Sequence, residues 1–257
     1  MEANLTPISV ARRLRQHDLF YFTPRLLGDL LALERPQVYR LAGRLKEERL
    51  IAEVEKGKYL LLGLEPERVL ANPLFIAAHL VAPGYVSYWS ALHFYGLTEQ
   101  APRTVFVATT RKKRAVAFNG LRFRFVTVHP RKFFGYRRAT VDELPVLIAD
   151  EAKAIVDSLD QSRYAGGLAE VAKALRLALE TVDTGLLIDY ANRMQDRSLG
   201  SRLGYLLELL GHPAEGLLRA ESPVKLAPNR SADGALHSGW QVIVNVPVTE
   251  LFPAGVG

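Results

Sequence analysis

Two stretches near the start of the chain repeat apolar residues with the spacing of an α-helix. Each opens with a threonine followed by proline, at Thr6-Pro7 and Thr23-Pro24, which is a helix N-cap followed by a residue suited to the first turn. The apolar stripes that we expect to be buried are Ile8, Ala11 and Leu14 in the first stretch, and Leu26, Leu27, Leu30 and Leu31 in the second. The pattern predicts two short amphipathic helices.

A third helix is predicted from Pro36 to about Arg49. Its apolar residues Val38, Leu41 and Leu45 fall at i, i+3 and i+7. Residues 50–61 then alternate on both sides of a Lys-Gly-Lys tip, which is typical of a hairpin. Three helices followed by a basic-tipped hairpin indicate a winged helix-turn-helix domain over residues 1–65.

Residues 66–257 are predicted to form a larger mixed α/β domain, so the fold class is α+β. The part over residues 66–148 contains the β-strands, and residues 149–257 are mainly helical. In the first part we expect helices at 68–82 and 87–95, and Ser87 is expected to cap the second of them. We also expect strands at 105–109, 121–128 and 145–148. Asn119-Gly120 is predicted to form a hairpin turn between the first two strands. In the second part we expect helices at 150–159, 168–181, 186–194 and 199–210, and one strand at 240–246.

The composition narrows the class of protein. The 257 residues contain no cysteine, which excludes disulfide frameworks and thiolate metal sites. The longest apolar run, at 74–82, is far shorter than the ~20 residues of a membrane-spanning helix. The N-terminus lacks the basic start and apolar stretch of a secretory signal, so we expect a cytoplasmic protein without a membrane partner.

Charge is distributed unevenly along the chain. The formal net charge of +6 divides into +2 for residues 1–65, +8 for residues 66–148 and −4 for residues 149–257. A basic front and middle joined to an acidic rear suggest that one part meets a polyanion.

The third predicted helix carries the side chains that can read DNA bases. In a winged helix-turn-helix this helix enters the major groove. We predict base contacts from Arg35, Gln37, Arg40 and Arg44, and phosphate contacts from Thr23, Arg25, Lys56 and Lys58. Because winged helices also bind proteins, and the charge of this region is near neutral, a protein-interaction module remains an alternative.

A second basic run lies between two predicted strands. It consists of Arg111, Lys112, Lys113 and Arg114, and it is a candidate surface for a partner or a nucleic acid. The following stretch alternates Arg122 and Arg124 with aromatic residues, which could grip a nucleic acid. We favour the simpler interpretation of a half-buried strand with its arginines outward.

Catalytic chemistry has weak support in the sequence. Asp142 with Glu151 and Lys153 matches the acid and Glu-x-Lys pattern of metal-dependent nucleases, but Glu151 falls at a predicted helix start, where an acidic residue complements the helix dipole. None of the six histidines pairs at i, i+4, and no phosphate-binding glycine loop is present. We therefore expect no enzyme, no cofactor and no metal, with a nuclease as the alternative.

Several strings together resemble a known family. Residues 85–102 read YVSYWSALHFYGLTEQAP, 133–135 read FFG, 154–161 read AIVDSLDQ, 166–175 read GGLAEVAKAL and 202–211 read RLGYLLELLG. Behind an N-terminal winged helix, this order resembles the AbiEi antitoxins of type IV toxin–antitoxin systems, over about residues 5–211.

The resemblance implies a bacterial or archaeal regulator in two parts. Its winged helix would bind inverted repeats upstream of its own operon and repress transcription, and two copies on the DNA would suit such repeats. Its C-terminal domain would counteract a nucleotidyltransferase-like toxin, directly or indirectly. The alternative is a DNA-binding transcription regulator with a ligand- or protein-sensing C-terminal domain and no toxin partner.

Overall fold

The computed structural model describes residues 5–253, which form an α+β architecture. The N-terminal unit, residues 7–61, contains three helices and three strands. They are α1 (Pro7–Gln16), β1 (Tyr21–Phe22), α2 (Pro24–Leu31), α3 (Arg35–Glu47), β2 (Ile51–Glu55) and β3 (Lys58–Leu61). The strands form an antiparallel sheet in the order β1-β3-β2.

Both predicted threonine caps are confirmed. The hydroxyl oxygen of Thr6 accepts a hydrogen bond from the Ser9 backbone N–H at 3.2 Å, and that of Thr23 accepts from the Leu26 N–H at 3.4 Å. The prediction that Ile8 and Leu26 are buried is wrong, because these residues are 44% and 45% exposed. The two helices turn a narrower stripe inward, made of Val10, Ala11 and Leu14 in α1 and of Leu27 and Leu31 in α2.

The rest of the described chain, which we call the body, begins with a six-stranded sheet and the helices that cover it. The elements are α4 (Pro66–Leu70), α5 (Pro73–His79), β4 (Gly84–Val86), α6 (Tyr88–Phe94), β5 (Thr104–Thr109), β6 (Val116–Phe118), β7 (Leu121–Thr127), a 3-10 turn (Pro130–Lys132), β8 (Tyr136–Val141) and β9 (Leu144–Ala149). The strand order is β6-β7-β5-β4-β9-β8.

The connection around Asn119-Gly120 differs from the prediction. The turn joins β7 to the short strand β6, with Phe118 opposite Leu121, whereas β5 and β7 pair in parallel. Asn119 and Gly120 both have positive φ, at 50° and 73°, as a two-residue hairpin turn requires. Asn119-Gly120 therefore forms a hairpin turn, as predicted, but the turn joins β6 to β7 and not β5 to β7.

The predicted helix over 68–82 is divided in two. Asn72 caps α5 by accepting the Phe75 N–H at 2.9 Å, and Pro73 starts the new helix. A proline disfavours helical geometry in the residue before it, so α4 ends before Asn72.

The rear of the body contains four long helices, as predicted, within two or three residues at most ends. They are α7 (Glu151–Asp160), α8 (Leu168–Ala178), α9 (Thr184–Arg193) and α10 (Arg197–Leu209), with a 3-10 turn (Ser162–Tyr164) between the first two. One strand was predicted in this part, at 240–246, but the structure has three strands, and the last of them lies within the predicted range. These are β10 (Val224–Lys225), β11 (Ala235–His237) and β12 (Val242–Val244), followed by α11 (Val248–Leu251).

Over residues 5–253, no helix has the length and apolarity needed to cross a membrane.

Candidate nucleic-acid interface

Helix α3 presents basic side chains on its outer side. Its inner side is fixed by Val38, Leu41, Ala42 and Leu45, all buried. Arg40 and Arg44, one helical turn apart, are both exposed, and no carboxylate among residues 5–253 forms an ion pair with either of them. Two unpaired guanidinium groups on one exposed helix are available to an anionic ligand.

The start of α3 uses one of the predicted base-reading residues for its own structure. The amide oxygen of Gln37 accepts the Glu34 backbone N–H at 2.9 Å, which satisfies a donor that the helix start would otherwise leave unpaired. The amide NH₂ of Gln37 and the second lone pair of its amide oxygen remain available to a ligand. The Arg35 guanidinium lies 5.7 Å from the ring centroid of Tyr39, which is not among the residues predicted to contact DNA.

The start of α2 holds two of the predicted phosphate contacts. The Thr23 hydroxyl oxygen caps the helix, which leaves its hydrogen free to donate. The Arg25 side chain is 92% exposed and lies 3.9 Å from the carboxylate of Asp29 one turn later. Because this ion pair is long and exposed to solvent, it contributes little to stability. Arg25 therefore remains available to an anionic ligand.

The tip between β2 and β3 carries the other two predicted phosphate contacts, Lys56 and Lys58. Gly57 has a φ of 66°, and its N–H donates to the Glu53 carboxylate at 3.0 Å. Lys56 is exposed without an ion-pair partner in the described part of the chain, whereas the Lys58 ammonium lies 3.3 Å from the Glu55 carboxylate.

The second basic run docks against this hairpin through Lys113. Its ammonium forms an ion pair with Glu55 and lies 5.4 Å from the ring centroid of Tyr21 and 5.2 Å from that of Phe125. The Lys113 side chain is only 13% exposed, so it is used inside the protein. Arg111, Lys112 and Arg114 stay exposed beside the hairpin.

Glu55 is the centre of this junction. Burial raises the pKa of its carboxyl, but hydrogen bonds from Lys113 and Tyr21 outweigh it, and the net pKa is lowered. Burial and the contact with Glu55 raise the pKa of Tyr21, so the phenol remains a donor at neutral pH. The sequence contains no local signal for this contact, since Lys113 and Glu55 are 58 residues apart.

Strand β7 is half-buried, as the alternation of its residues predicts. Phe123 and Phe125 are buried, and Arg122 and Arg124 are exposed. The Arg124 guanidinium lies 4.8 Å from the ring centroid of Tyr164. The aromatic residues of this strand therefore belong to the core.

The three residues of the nuclease alternative do not meet. Asp142 lies in the turn after Val141, and Glu151 follows the other end of the same β8–β9 hairpin, more than about 15 Å away at ~3.3 Å per residue. Lys153 is fully buried and pairs with Asp157. Within residues 5–253, no group of three or more histidine and acidic side chains could hold a metal ion.

A buried polar cluster lies at the centre of the body. The Asp157 carboxylate accepts hydrogen bonds from the Tyr85 hydroxyl at 3.0 Å and the Ser87 hydroxyl at 2.8 Å, and it pairs with Lys153. Ser87 precedes α6, but its hydroxyl is bound to Asp157 and does not cap the helix as predicted. Burial, together with the charge of Asp157, raises the pKa of Tyr85. Members of this cluster come from two of the strings that carry the family resemblance.

Comparisons with known proteins establish a similarity of fold alone. No family model and no curated protein matches the chain. Among solved structures, the crystal structure of the RV2827C protein from Mycobacterium tuberculosis is similar with a TM-score of 0.55 and 15% sequence identity, covering 91% of this chain and 90% of that chain.

Proposed function

We propose that the N-terminal unit is a winged helix-turn-helix domain and that it binds DNA. The observation that carries the proposal is the order α1-β1-α2-α3-β2-β3, with unpaired Arg40 and Arg44 on the outer side of α3. In this motif the third helix enters the major groove and the hairpin, or wing, contacts the backbone.

The side chains divide by reach into two groups. Those on α3, namely Arg35, Gln37, Arg40 and Arg44, face base edges. Those at the start of α2 and at the wing, namely Thr23, Arg25, Lys56 and Lys58, hold phosphates and provide most of the salt-dependent affinity.

The second basic run extends the phosphate-binding surface of the wing. The ion pair between Lys113 and Glu55 places Arg111, Lys112 and Arg114 next to the wing tip. These three side chains contact the DNA backbone beyond the half-site that α3 reads. Contacts with phosphates require positive charge but no recognition of particular bases.

The protein as a whole acts as an autoregulatory antitoxin of a type IV toxin–antitoxin system. It works in the cytoplasm, without catalysis, and counteracts a nucleotidyltransferase-like toxin. The support is the resemblance of its strings to the AbiEi family. Tyr85, Ser87 and Asp157 belong to two of these strings and meet in the buried cluster, which is consistent with strings that specify the fold of the body.

DNA binding is tested with the full chain. The protein is used to select from a duplex pool with a random core, and the selected sequence is compared with the DNA upstream of its own gene. The expected result is an inverted repeat that occurs there and takes up two copies of the chain. Selection of no sequence at all contradicts the proposal.

The antitoxin activity is tested separately by co-expression. The full chain and its Arg40→Ala/Arg44→Ala variant are each produced with the product of the neighbouring gene, in a host whose growth that product arrests. Rescue by both is expected, because neutralisation lies in the body. If neither rescues while DNA binding holds, the alternative of a transcription regulator with a sensing domain and no toxin is the better account.

A further inference from the structure

The exposed side of α3 carries two rows of side chains. At 100° per residue, Gln37, Arg40 and Arg44 form one row, and Arg35, Tyr39 and Lys46 form another on the opposite flank of the helix. The two rows lie on different flanks of the helix, so they do not meet a bound duplex in the same way.

The row of Arg35 and Tyr39 lies between the start of α2 and the strands of the wing. Arg35 and Tyr39 line a cleft of about 600 Å³ together with Arg25 and Asp29 of α2. Further along the same row, the Lys46 ammonium lies 3.2 Å from the Glu53 carboxylate of β2 and 6.0 Å from the ring centroid of Tyr59 in β3. The proposed phosphate contacts at the start of α2 and at the wing therefore flank this row.

Arg35 and Tyr39 are preorganised as a pair. The guanidinium lies over the ring, an arrangement that restricts its plane and reduces the ordering needed on binding. Tyr39 is 50% exposed, and no described residue hydrogen-bonds its hydroxyl. An arginine fork and an apolar ring are thus presented side by side on the face that the proposed phosphate contacts surround.

We propose that Arg35 and Tyr39 read a guanine and a neighbouring thymine in the major groove. This inference rests on the proposed DNA binding. Arginine donates two N–H groups to O6 and N7 of guanine, and an apolar side chain contacts the C5-methyl group that distinguishes thymine. In this arrangement the ring holds the guanidinium and contacts the adjacent methyl group at the same time.

The experiment uses the full chain and the duplex it selects. Dissociation constants are measured for the wild type, Arg35→Ala, Tyr39→Ala and Tyr39→Phe, with Arg103→Ala as a control that removes an exposed arginine outside the N-terminal unit. In matched duplexes each thymine of the half-site is replaced by deoxyuridine, which lacks only the methyl group, and each guanine by 7-deazaguanine, which lacks N7. Thermal unfolding checks that every variant is folded.

One thymine should respond to methyl removal by about 3- to 5-fold in the wild type, the loss expected for one buried methyl group. The same change should have no effect in Tyr39→Ala and the full effect in Tyr39→Phe and Arg103→Ala. Arg35→Ala should bind about 10-fold or more weakly and become insensitive to 7-deazaguanine at the adjacent position.

If Tyr39→Ala and Arg35→Ala retain the wild-type responses, or no guanine and thymine respond, the assignment to this row is wrong. The wild type still selects one sequence in that case, and the DNA-binding proposal stands. If the wild type selects no sequence, both proposals fail together.

Discussion

Cationic side chains have opposite environments in the N-terminal unit and in the body. On α3, Arg40 and Arg44 are exposed and unpaired within the described chain. In the body, Lys153 is fully buried beside Asp157, and Lys132 is 13% exposed with its ammonium 2.7 Å from Asp160 and 3.3 Å from Asp196.

This difference shows why net charge is a poor guide to the proposed interface. Residues 66–148 carry a net charge of +8 and residues 1–65 only +2, yet Lys113 and Lys132 of the more basic region bind carboxylates of the protein itself. A cation that is already desolvated and paired has little to offer a phosphate, whereas an exposed arginine retains all its donors. The comparison predicts large stability effects in the body and binding effects on α3.

The largest effect is expected at Lys153. Lys153→Met leaves the Asp157 carboxylate buried without its counter-charge, which should lower the free energy of unfolding by about 3–5 kcal/mol. Urea denaturation measures it, with Lys173→Met on α8 as the control. The double variant Lys153→Met/Asp157→Leu should recover part of the loss. A single variant as stable as the wild type would contradict the importance of this pair.

The next effect concerns binding. Arg40→Ala should weaken operator binding by about 1–3 kcal/mol, the range for a lost base contact, and leave the unfolding temperature unchanged because the side chain is exposed. Fluorescence anisotropy gives the affinity, and Arg103→Ala is the charge-matched control. A drop in stability equal to the drop in binding would assign Arg40 to folding.

The junction at Glu55 should give a smaller, pH-dependent effect. The pKa of Glu55 is lowered in the folded state. Its contribution to stability is therefore present above pH 4.5, the ordinary pKa of the carboxyl, and is lost as the pH falls through the lowered pKa. Glu55→Gln should cost about 1 kcal/mol at neutral pH. The difference from the wild type should disappear in acid. Urea denaturation across this range checks the sign, and a difference that grows in acid would reverse it.

The smallest effect is expected at the exposed lysines. Lys112→Ala and Lys56→Ala should each reduce the slope of log affinity against log salt by about 0.9, the value for one phosphate contact, with little change in sequence preference. Titrations at several salt concentrations measure the slope. An unchanged slope for Lys112→Ala would limit the surface to the N-terminal unit.

The N-terminal helices and the hairpin were predictable because their signals are local, whereas the two-residue strand β1 (Tyr21–Phe22) was not predicted. Thr-Pro starts, helical spacing and a Lys-Gly-Lys tip act over a few residues, and the helices lie close to where they were expected. The body was harder to predict. Strands β5 and β7 are neighbours in the sheet and pair in parallel, although β6 lies between them in the chain. Strand β4 has three residues, and β8 carries Arg137 and Arg138 on exposed positions. Neither has the apolar alternation that identifies a strand.

The candidate site was predictable to a similar extent. Exposed arginines follow from the helical period of α3, so Arg40 and Arg44 were selected correctly as exposed. The pairing of Lys113 with Glu55 and the burial of Lys153 depend on contacts that only the tertiary fold creates. Tyr39 was overlooked because an aromatic residue on an amphipathic helix suggests core, and its exposure is visible only in the structure.

The most direct test of the account compares the wild type with Arg40→Ala/Arg44→Ala on the DNA upstream of the gene and on a scrambled duplex of equal length, at one salt concentration. The account predicts that the wild type prefers the upstream DNA and that the double variant loses most of this preference while unfolding at the same temperature. A double variant that keeps the wild-type preference would contradict the assignment of α3 as the reading helix.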